Sequence, residues 1–428
     1  MDIQISPGPL SGTIEAISSK SELHRMLICA AFADRPTDVL VSGSAYNGSH
    51  ELPKDILATI RCLSALGAGC QALPGMIRVT PALNAAEHPL LDCGESGSTF
   101  RFLLGVAAAF CGNAEFRGSG RLPERPIGDL ADALRTHGVV FSSDTLPFTI
   151  SGKPTGGIYE IPGNISSQYL TGLLLMLPLL ETEGTIRLTT PLASTGYIDI
   201  TTQVMKAFGV PVQQKDSAWQ LAGGKQYTGP GKIHAGGDWS NTAAFLTASM
   251  LREQNAVCCT ALMPDSLQGD RKILSFLEEF GAGISITSEG ISASSGILHG
   301  TAIDIDNTPD LLPYLAIAAC AAVGRTEFFN AGRLRLKESD RIQSTAAMIR
   351  SLGGTAETEA ERLIIHGTGT LSGGIVDSAN DHRIVMAAAA AASISEKAVI
   401  IRGAEAVSKS YPTFFDDFKA LKGVCHVL

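Results

Sequence analysis

The chain has 428 residues, which is too long for one ordinary core, so we expect two domains. Hydrophobic residues make up 45% of it, enough to build more than one core. The formal net charge of −9 argues against general nucleic-acid binding, which needs a basic face, and no signal peptide stands before Leu10. The most apolar stretch, residues 384–394, is too short to span a bilayer, so we expect no membrane partner. The nine cysteines show no metal-ligand pattern and predict a cytoplasmic protein with reduced thiols.

A helix-like segment that ends in glycine recurs along the whole chain. Apolar residues at spacings of three and four give each copy one buried stripe, and the glycine suits a left-handed C-terminal cap. The regular interval predicts six copies of one structural unit. The copies end at Gly67, Gly138, Gly209, Gly281, Gly353 and Gly423, at intervals of 71, 71, 72, 72 and 70 residues.

The other elements of each unit are also visible in the sequence. Two short alternating runs around a turn follow most of these glycines, as at residues 281–294, and predict a hairpin. A short strand, a polar loop, an almost wholly apolar helix and a middle strand precede the glycine-ended helix. The unit is therefore predicted as βαβαββ. Because the apolar helices need burial on all sides, we expect two sets of three units, each set packed around its own axis. The alternative is a solenoid, which would need end caps that we do not find in the sequence.

The last unit ends at residues 424–428 without its final strand. We expect residues 2–6 to supply that strand, which places both chain ends in one domain. One three-unit domain is therefore predicted over residues 19–235 and a second over residues 1–18 plus 236–428. The predicted fold is α/β, a two-domain inside-out α/β barrel in which each domain packs three βαβαββ repeats around buried helices.

The loop before each buried helix is the expected place for chemistry, because helix N-termini offer unpaired N–H groups that suit anions. Equivalent loops of a three-fold domain point the same way, so two opposed faces would form a cleft. Cations about 4 Å apart repel by about 4 kcal/mol at an effective dielectric near 20, so this cleft needs a multiply anionic ligand, and binding should draw the domains together. Its predicted cations are Lys20, Arg25, Arg125, Arg341, Arg383 and Lys409.

Motifs in these loops resemble a known family. Each one taken alone is more often an ordinary cap or a solvated segment. The ordered set is Ser19-Lys20-Ser21 followed by Arg25, Glu124-Arg125-Pro126-Ile127, Ser166-Ser167-Gln168, Tyr197-Ile198-Asp199-Ile200-Thr201, Lys337-Glu338-Ser339-Asp340-Arg341 and Asn380-Asp381-His382-Arg383. Over nearly its full length the chain thus resembles the 5-enolpyruvylshikimate-3-phosphate synthase family.

The resemblance implies an activity and a role for each matching residue. The enolpyruvyl group of phosphoenolpyruvate passes to the 5-hydroxyl of 3-phosphoshikimate through a tetrahedral intermediate, with release of phosphate and without metal or cofactor. Asp310 takes the hydroxyl proton, and Glu338 with Lys20 protonates the methylene carbon. The implied 3-phosphoshikimate ligands are Lys20, Ser21, Arg25, Ser166, Ser167, Gln168, Ser194, Tyr197, Asp310 and Lys337. The implied phosphoenolpyruvate ligands are Lys20, Gly97, Arg125, Gln168, Arg341, His382, Arg383 and Lys409.

Two positions depart from the family pattern. Glu95 stands where the family usually has Asn, and a carboxylate beside an anionic substrate is unfavourable unless it turns away. The family often has Asn near Arg333, to which we carry over no role. The family is mostly monomeric, so we expect a monomer.

Two other functions compete with this interpretation. UDP-N-acetylglucosamine enolpyruvyl transferase shares the fold, but it typically has Lys-Asn in place of Lys20-Ser21 and a loop Cys where Gly120 stands. A non-catalytic sugar-phosphate-binding protein is the second alternative. A pure binder has no use for both Asp310 and Glu338 beside so many cations, so the pair favours an enzyme.

Overall fold

The computed structural model describes residues 1–48 and 52–428. The described helices are α1 Lys20–Ala31, α2 Lys54–Ala65, α3 Gly97–Phe110, α4 Gly128–Thr136, α5 Ser167–Met176, α6 Gly196–Ala207, α7 Trp239–Met250, α8 Ile273–Glu279, α9 Leu312–Ala321, α10 Arg341–Ser351, α11 His382–Ala391 and α12 Phe414–Ala420. None of these described helices has the length and apolar character needed to cross a membrane.

The strands are short and spread over the whole chain. They are β1 Ile3–Ile5, β2 Ser11–Glu15, β3 Thr37–Leu40, β4 Gly69–Leu73, β5 Met76–Thr80, β6 Leu90–Asp92, β7 Asn113–Arg117, β8 Val140–Phe141, β9 Phe148–Ser151, β10 Gly157–Ile161, β11 Gly184–Leu188, β12 Gln213–Lys215, β13 Ala218–Leu221, β14 Lys232–His234, β15 Ala256–Thr260, β16 Gly283–Thr287, β17 Gly290–Ser294, β18 Ala302–Asp304, β19 Val323–Phe329, β20 Thr355–Thr358, β21 Leu363–Thr368, β22 Gly374–Asp377, β23 Val399–Arg402 and β24 Cys425–Val427.

The described strands form six four-stranded sheets with one common order. In β10-β11-β13-β12, the first two strands are parallel and joined through α5, and an antiparallel hairpin completes the sheet. Parallel neighbours need such a crossover, whereas antiparallel ones need only a turn. The predicted unit of strand, helix, strand, helix and hairpin is confirmed.

Three strands come from a distant part of the chain. The β14 strand pairs with β3 (Ile233 opposite Val39), and β2 pairs with β15. The β1 strand lies between β23 and β24, with Ile3 opposite both Ile401 and Val427, so it supplies the strand that the last unit lacks. No described sheet mixes strands of residues 19–235, here called the first half, with strands of residues 1–18 plus 236–428, the second half. The domain boundaries themselves stay a prediction.

The chain passes between the halves twice, and the two passages lie side by side. Ser19 donates its N–H to the Gly236 carbonyl over 2.7 Å, and Asp238 donates its N–H to the Ile17 carbonyl over 2.7 Å. Ser18 and Gly237 form an antiparallel bridge between these bonds. The two connections therefore form one short paired segment that joins the halves.

The apolar helices are the core of each half. Every residue of α7, α9 and α11 is buried, and the three helices pack on one another. In the first half, α3 and α5 approach closely at Gly172, where a Cβ would lie 2.3 Å from the carbonyl oxygen of Arg101. Burial of one Leu or Ile side chain contributes about 1.5–3 kcal/mol to the free energy of folding, so these helices stabilise each half. The sheets lie outside them.

The glycine caps follow the prediction in five of the six units. Gly67, Gly138, Gly209, Gly281 and Gly353 all have positive φ. In the last unit the left-handed residue is Lys422, at φ 66°, so the prediction for Gly423 is wrong. Glycine is needed at position 423 for packing instead, because a Cβ there would lie 2.2 Å from Cε1 of Phe418.

Candidate functional site

A cavity between the two halves collects most of the predicted site residues. First-half residues form one wall, and residues that precede or begin α9, α10 and α11 form the other. The predicted residues that line it are Lys20, Ser21, Arg25, Gly97, Arg125, Ser166, Ser167, Gln168, Ser194, Tyr197, Asp310, Lys337, Glu338, Arg341 and Arg383. His382 and Lys409 lie outside this lining.

Helix starts position many of these side chains. Lys20, Gly97 and Ser167 are the first residues of α1, α3 and α5. The preceding serine caps each of these helices with its side chain; Ser166, for example, accepts from the Gln168 N–H. A capped helix start fixes the direction of the next residue and adds a positive dipole end to the cavity.

The second wall holds its arginines in ion pairs. Arg341 donates from Nη1 to Asp310 Oδ1 over 2.5 Å and from Nε to Asp381 Oδ2 over 2.9 Å. Arg383 donates from Nη2 to Asp310 Oδ2 over 3.0 Å. Burial alone would raise the pKa of Asp310, but these arginines and Lys337 lower it more, so it lies well below its usual value. Asp310 is therefore a carboxylate shared by two guanidinium groups.

Four cations of the cavity have no such partner. Within the described residues, none of them forms an ion pair with a carboxylate; they are Arg25, Arg101, Arg125 and Lys337. Burial lowers the pKa of Arg25 to about 10, of Arg101 to about 9 and of Lys337 to about 8. Burial likewise lowers the pKa of Arg125. A buried charge without a counter-charge is costly, so bound anions would stabilise this set.

Neutral groups fix the direction of two of these unpaired arginines. Arg25 donates to Thr201 Oγ1 over 2.7 Å and to the carbonyl of Tyr197 over 3.0 Å. Arg101 donates to Gln168 Oε1 over 2.9 Å. The cations are thus held in place without being neutralised, which is the arrangement that an anion-binding surface needs.

Glu338 and His382 form another close pair of titratable side chains on the second wall. Glu338 Oε2 and His382 Nδ1 are 2.7 Å apart, and His382 is fully buried behind the carboxylate. Burial raises the pKa of Glu338, but His382, Lys20 and Arg341 lower it more, so it lies well below its usual value. Burial lowers the pKa of His382. Lys20 itself pairs with Asp55 over 2.7 Å.

Glu338, Asp381 and His382 are also close enough to act as metal ligands, with donor atoms within 4.8 Å of one another among the described residues. Asp381, however, already accepts from Arg341 Nε and from the Arg383 N–H, each over 2.9 Å. Bound cations at this place would also meet the positive charge of Arg341. The arrangement fits an acid–base group better than a metal site.

Lys409 departs from the predicted arrangement. Its Nζ lies 2.8 Å from Glu95 Oε2 and 2.6 Å from the Asn380 carbonyl oxygen, in a neighbouring cavity. Glu95 turns away from the main cavity, as a carboxylate near an anion site must.

Several lining residues were not predicted. Arg101 lies in α3, one turn after Gly97, so the helical period was its signal. Arg333 donates to Asp306 and, over 3.1 Å, to Ser194 Oγ across the cleft. Asp238 caps the start of α7, at the position equivalent to the serines that cap α1, α3 and α5. Asp55 lies in α2, outside every loop considered, and had no sequence signal.

Comparison with known proteins identifies the family of the chain. A family model described as EPSP synthase (3-phosphoshikimate 1-carboxyvinyltransferase) matches residues 5–418. The 3-phosphoshikimate 1-carboxyvinyltransferase of Clostridium kluyveri is 37% identical over 424 residues, which cover 98% of this chain and 97% of the relative. That of Methanocorpusculum labreanum is 36% identical over 429 residues and covers 98% of both chains.

A solved structure confirms the fold. The EPSP synthase of Acinetobacter baumannii superimposes with a TM-score of 0.80 at 26% identity, and the match covers 100% of both chains. The predicted α/β fold of packed repeats is thereby confirmed. Because both comparisons extend over nearly the whole chain, the protein belongs to the EPSP synthase (3-phosphoshikimate 1-carboxyvinyltransferase) family.

Proposed function

We propose that this protein transfers the enolpyruvyl (carboxyvinyl) group of phosphoenolpyruvate to the 5-hydroxyl of 3-phosphoshikimate, releasing phosphate, as a step of aromatic amino acid biosynthesis. The observation that carries the proposal is the cavity itself. Four cations without carboxylate partners, of which Arg25 and Arg101 are buried and the other two half-buried, share it with two half-buried carboxyl groups, Asp310 and Glu338. Two phosphorylated substrates supply the missing negative charge, and the carboxyl groups supply the proton transfers.

The two substrates divide the cavity by the position of its cations. Arg25, with Ser166, Ser167 and Tyr197 near it on the first wall and Lys337 opposite, holds 3-phosphoshikimate; Ser21 and Ser194 complete that group. Arg125 lies beside the start of α3, because a Cβ at Gly97 would be 2.5 Å from its Nη1. Phosphoenolpyruvate binds there, between Arg125 and the opposite cations Arg341 and Arg383, with Lys20 and Gln168 at its side.

The reaction needs one proton delivered and one removed in each step. Glu338, with Lys20, adds a proton to the methylene carbon of phosphoenolpyruvate, and the 5-hydroxyl oxygen bonds to the neighbouring carbon as Asp310 takes its proton. Glu338 then takes a methyl proton back from the tetrahedral intermediate, Asp310 returns its proton to the leaving phosphate as the carbon–oxygen bond breaks, and the vinyl group forms again. Every atom lost from the substrates leaves as phosphate.

Substrate binding also prepares these carboxyl groups. Without ligand, Arg341 and Arg383 hold the pKa of Asp310 low, so it is a poor base. An anionic substrate that binds to these arginines weakens their electrostatic attraction to the Asp310 carboxylate, which raises the pKa of Asp310. The same neutralisation of Lys20 and Arg341 raises the pKa of Glu338, so that it carries the proton it must deliver.

The test is phosphate release from phosphoenolpyruvate with 3-phosphoshikimate, beside the same assay with UDP-N-acetylglucosamine. We expect release only with 3-phosphoshikimate. Release only with the nucleotide sugar would keep the fold and reaction but change the substrate. Binding of 3-phosphoshikimate without release in any mixture would point to a binding protein.

We further propose that the enzyme works as a cytoplasmic monomer, with no metal, organic cofactor or nucleic acid. The free state of all nine cysteines supports a reducing compartment, and the net charge of −9 opposes nucleic-acid binding. Light scattering during size exclusion should give one chain mass of 44.8 kDa. Activity should survive prior treatment with EDTA.

A further inference from the structure

Glu95 makes an ion pair across the cleft. It lies in the first half, in the loop between β6 and α3, and its partners lie in the second half. Its Oε2 accepts from Lys409 Nζ over 2.8 Å and from Asn380 Nδ2 over 2.9 Å. Lys409 also donates to the Asn380 carbonyl over 2.6 Å. One carboxylate oxygen thus collects two donors from the opposite half.

The first half is shaped to receive this carboxylate. Gly120 has φ 56°, and a Cβ there would lie 2.5 Å from Glu95 Oε2 and 2.6 Å from its Cδ. The Glu95 carboxylate therefore packs against the backbone of Gly120, and it fits there because glycine has no side chain. The lysine partner is almost fully covered, with 7% of its side chain exposed, while Glu95 keeps 32%. Partial burial makes such a charged hydrogen bond stronger than an exposed pair.

The pair also lies next to the phosphoenolpyruvate subsite. Ser96, the following residue, caps α3, and Gly97 begins that helix against Arg125. Asp55, the partner of Lys20, lines both the main cavity and the neighbouring cavity that holds the pair. Movement of the Glu95 loop therefore moves the backbone that faces Arg125.

We propose that Glu95 is a positioning residue, which draws Lys409 and Asn380 across the cleft and fixes the closed form of the phosphoenolpyruvate subsite. The inference rests on the proposed function. Glu95 acts through Lys409 and through the Gly97 backbone, without touching substrate. Its loss lets the loop and the second half separate at this edge, so that phosphoenolpyruvate binds less well while the chemical groups stay intact.

A competing role would have the opposite sign. If Glu95 only withheld Lys409 from phosphoenolpyruvate, its removal would free the lysine and lower the KM for phosphoenolpyruvate. The positioning role predicts a higher KM instead. The direction of the change therefore decides between the two roles.

The first test compares Glu95→Ala, Glu95→Gln and wild type in steady-state kinetics. We expect Glu95→Ala to raise the KM for phosphoenolpyruvate roughly tenfold to hundredfold, the range of one charge-assisted hydrogen bond, with kcat changed less than about threefold. Glu95→Gln keeps an acceptor and should recover part of the loss. Glu115→Ala, which breaks the exposed pair with Arg117 in the same half, is the matched control and should resemble wild type.

The second test is a double-mutant cycle with Lys409→Met. If Glu95 acts through Lys409, Glu95→Ala should add at most a small effect to Lys409→Met. In the full chain with 3-phosphoshikimate bound, Glu95→Ala should also speed hydrogen exchange in residues 93–97 and 404–410. An unchanged or lowered KM for phosphoenolpyruvate, or fully additive effects, would overturn the inference. An inactive wild type would instead refute the proposed function.

Discussion

The two walls of the cleft hold their arginines in different ways. On the first wall, Arg25 and Arg101 are held by hydroxyl and carbonyl oxygens, the buried Nε of Arg125 has no hydrogen-bond partner among the described residues, and burial lowers the pKa of all three. On the second wall, Arg341 and Arg383 share Asp310. The first wall is therefore charged and ready for anions, whereas the second is close to neutral until a substrate competes for its arginines. This asymmetry lets the halves approach without strong mutual repulsion.

The largest expected effect comes from the acid–base group of the second wall. Glu338→Gln keeps the shape and a hydrogen bond to His382 but cannot exchange a proton. Turnover should fall by about 10²–10⁴-fold, the usual contribution of general acid–base catalysis, while 3-phosphoshikimate binding by calorimetry stays nearly unchanged. Glu124→Gln, at a mostly exposed side chain, is the control. Turnover near the wild-type value would rule out the proposed role of Glu338.

The next effect tests the open charges of the first wall. Arg25→Ala removes a buried partner of the bound phosphorylated sugar, a loss of about 3–5 kcal/mol. At about 1.4 kcal/mol per tenfold change, the Kd for 3-phosphoshikimate should rise by about two to three and a half orders of magnitude. Arg35→Ala, at an exposed pair with Asp34, should leave the Kd unchanged. Equal Kd values for both variants would contradict the assignment.

A smaller effect tests the paired charges of the second wall. Because the pKa of Asp310 is lowered in the folded state, its pairing stabilises the fold above its unfolded pKa of about 4. That stabilisation is lost as the pH falls from there toward the folded value. Each pKa unit corresponds to about 1.4 kcal/mol. The Tm of Asp310→Asn should therefore be lower at pH 7 and fall less steeply than wild type below pH 4; parallel curves would refute the pairing argument.

The smallest effect concerns Lys337, the unpaired cation of the second wall. With a pKa of about 8 in the free protein, it is about half protonated at pH 8, and a bound anion raises that pKa. Binding of 3-phosphoshikimate at pH 8 should therefore take up about half a proton. Calorimetry in two buffers of different ionisation enthalpy measures this uptake, which Lys337→Met should remove and the exposed Lys397→Met should keep. Uptake that persists in Lys337→Met would assign it to another group.

The repeat made the fold predictable from the sequence. Glycines such as Gly67 and Gly138 mark helix ends at a fixed interval, and the apolar helices between them have one natural place, the interior. Gly423 shows the limit of the pattern. Glycine is required there because of the close contact with Phe418, while Lys422 takes the left-handed conformation. Spacing alone cannot tell a glycine that is needed for its backbone conformation from one that is needed for lack of space.

The candidate site was predictable where it lies at helix starts. Residues such as Lys20 and Arg341 stand beside caps that a sequence displays. Asp55 reaches the cavity from the glycine-ended helix α2, and only the packing of α2 against α1 brings it to Lys20. The pairing of Lys409 with Glu95 depends on how the halves meet, which no local pattern encodes.

The position of β1 between β23 and β24 has a consequence for how the chain is made. Ile3–Ile5 leaves the ribosome well before its partners at residues 399–401 and 425–427 are made. At about 5–20 residues per second, this strand waits roughly 20–80 seconds for its neighbours. The first half, whose sheets use only residues 37–234, is complete long before. During synthesis the first half is therefore expected to fold first, and β1 is expected to join β23 and β24 only afterwards.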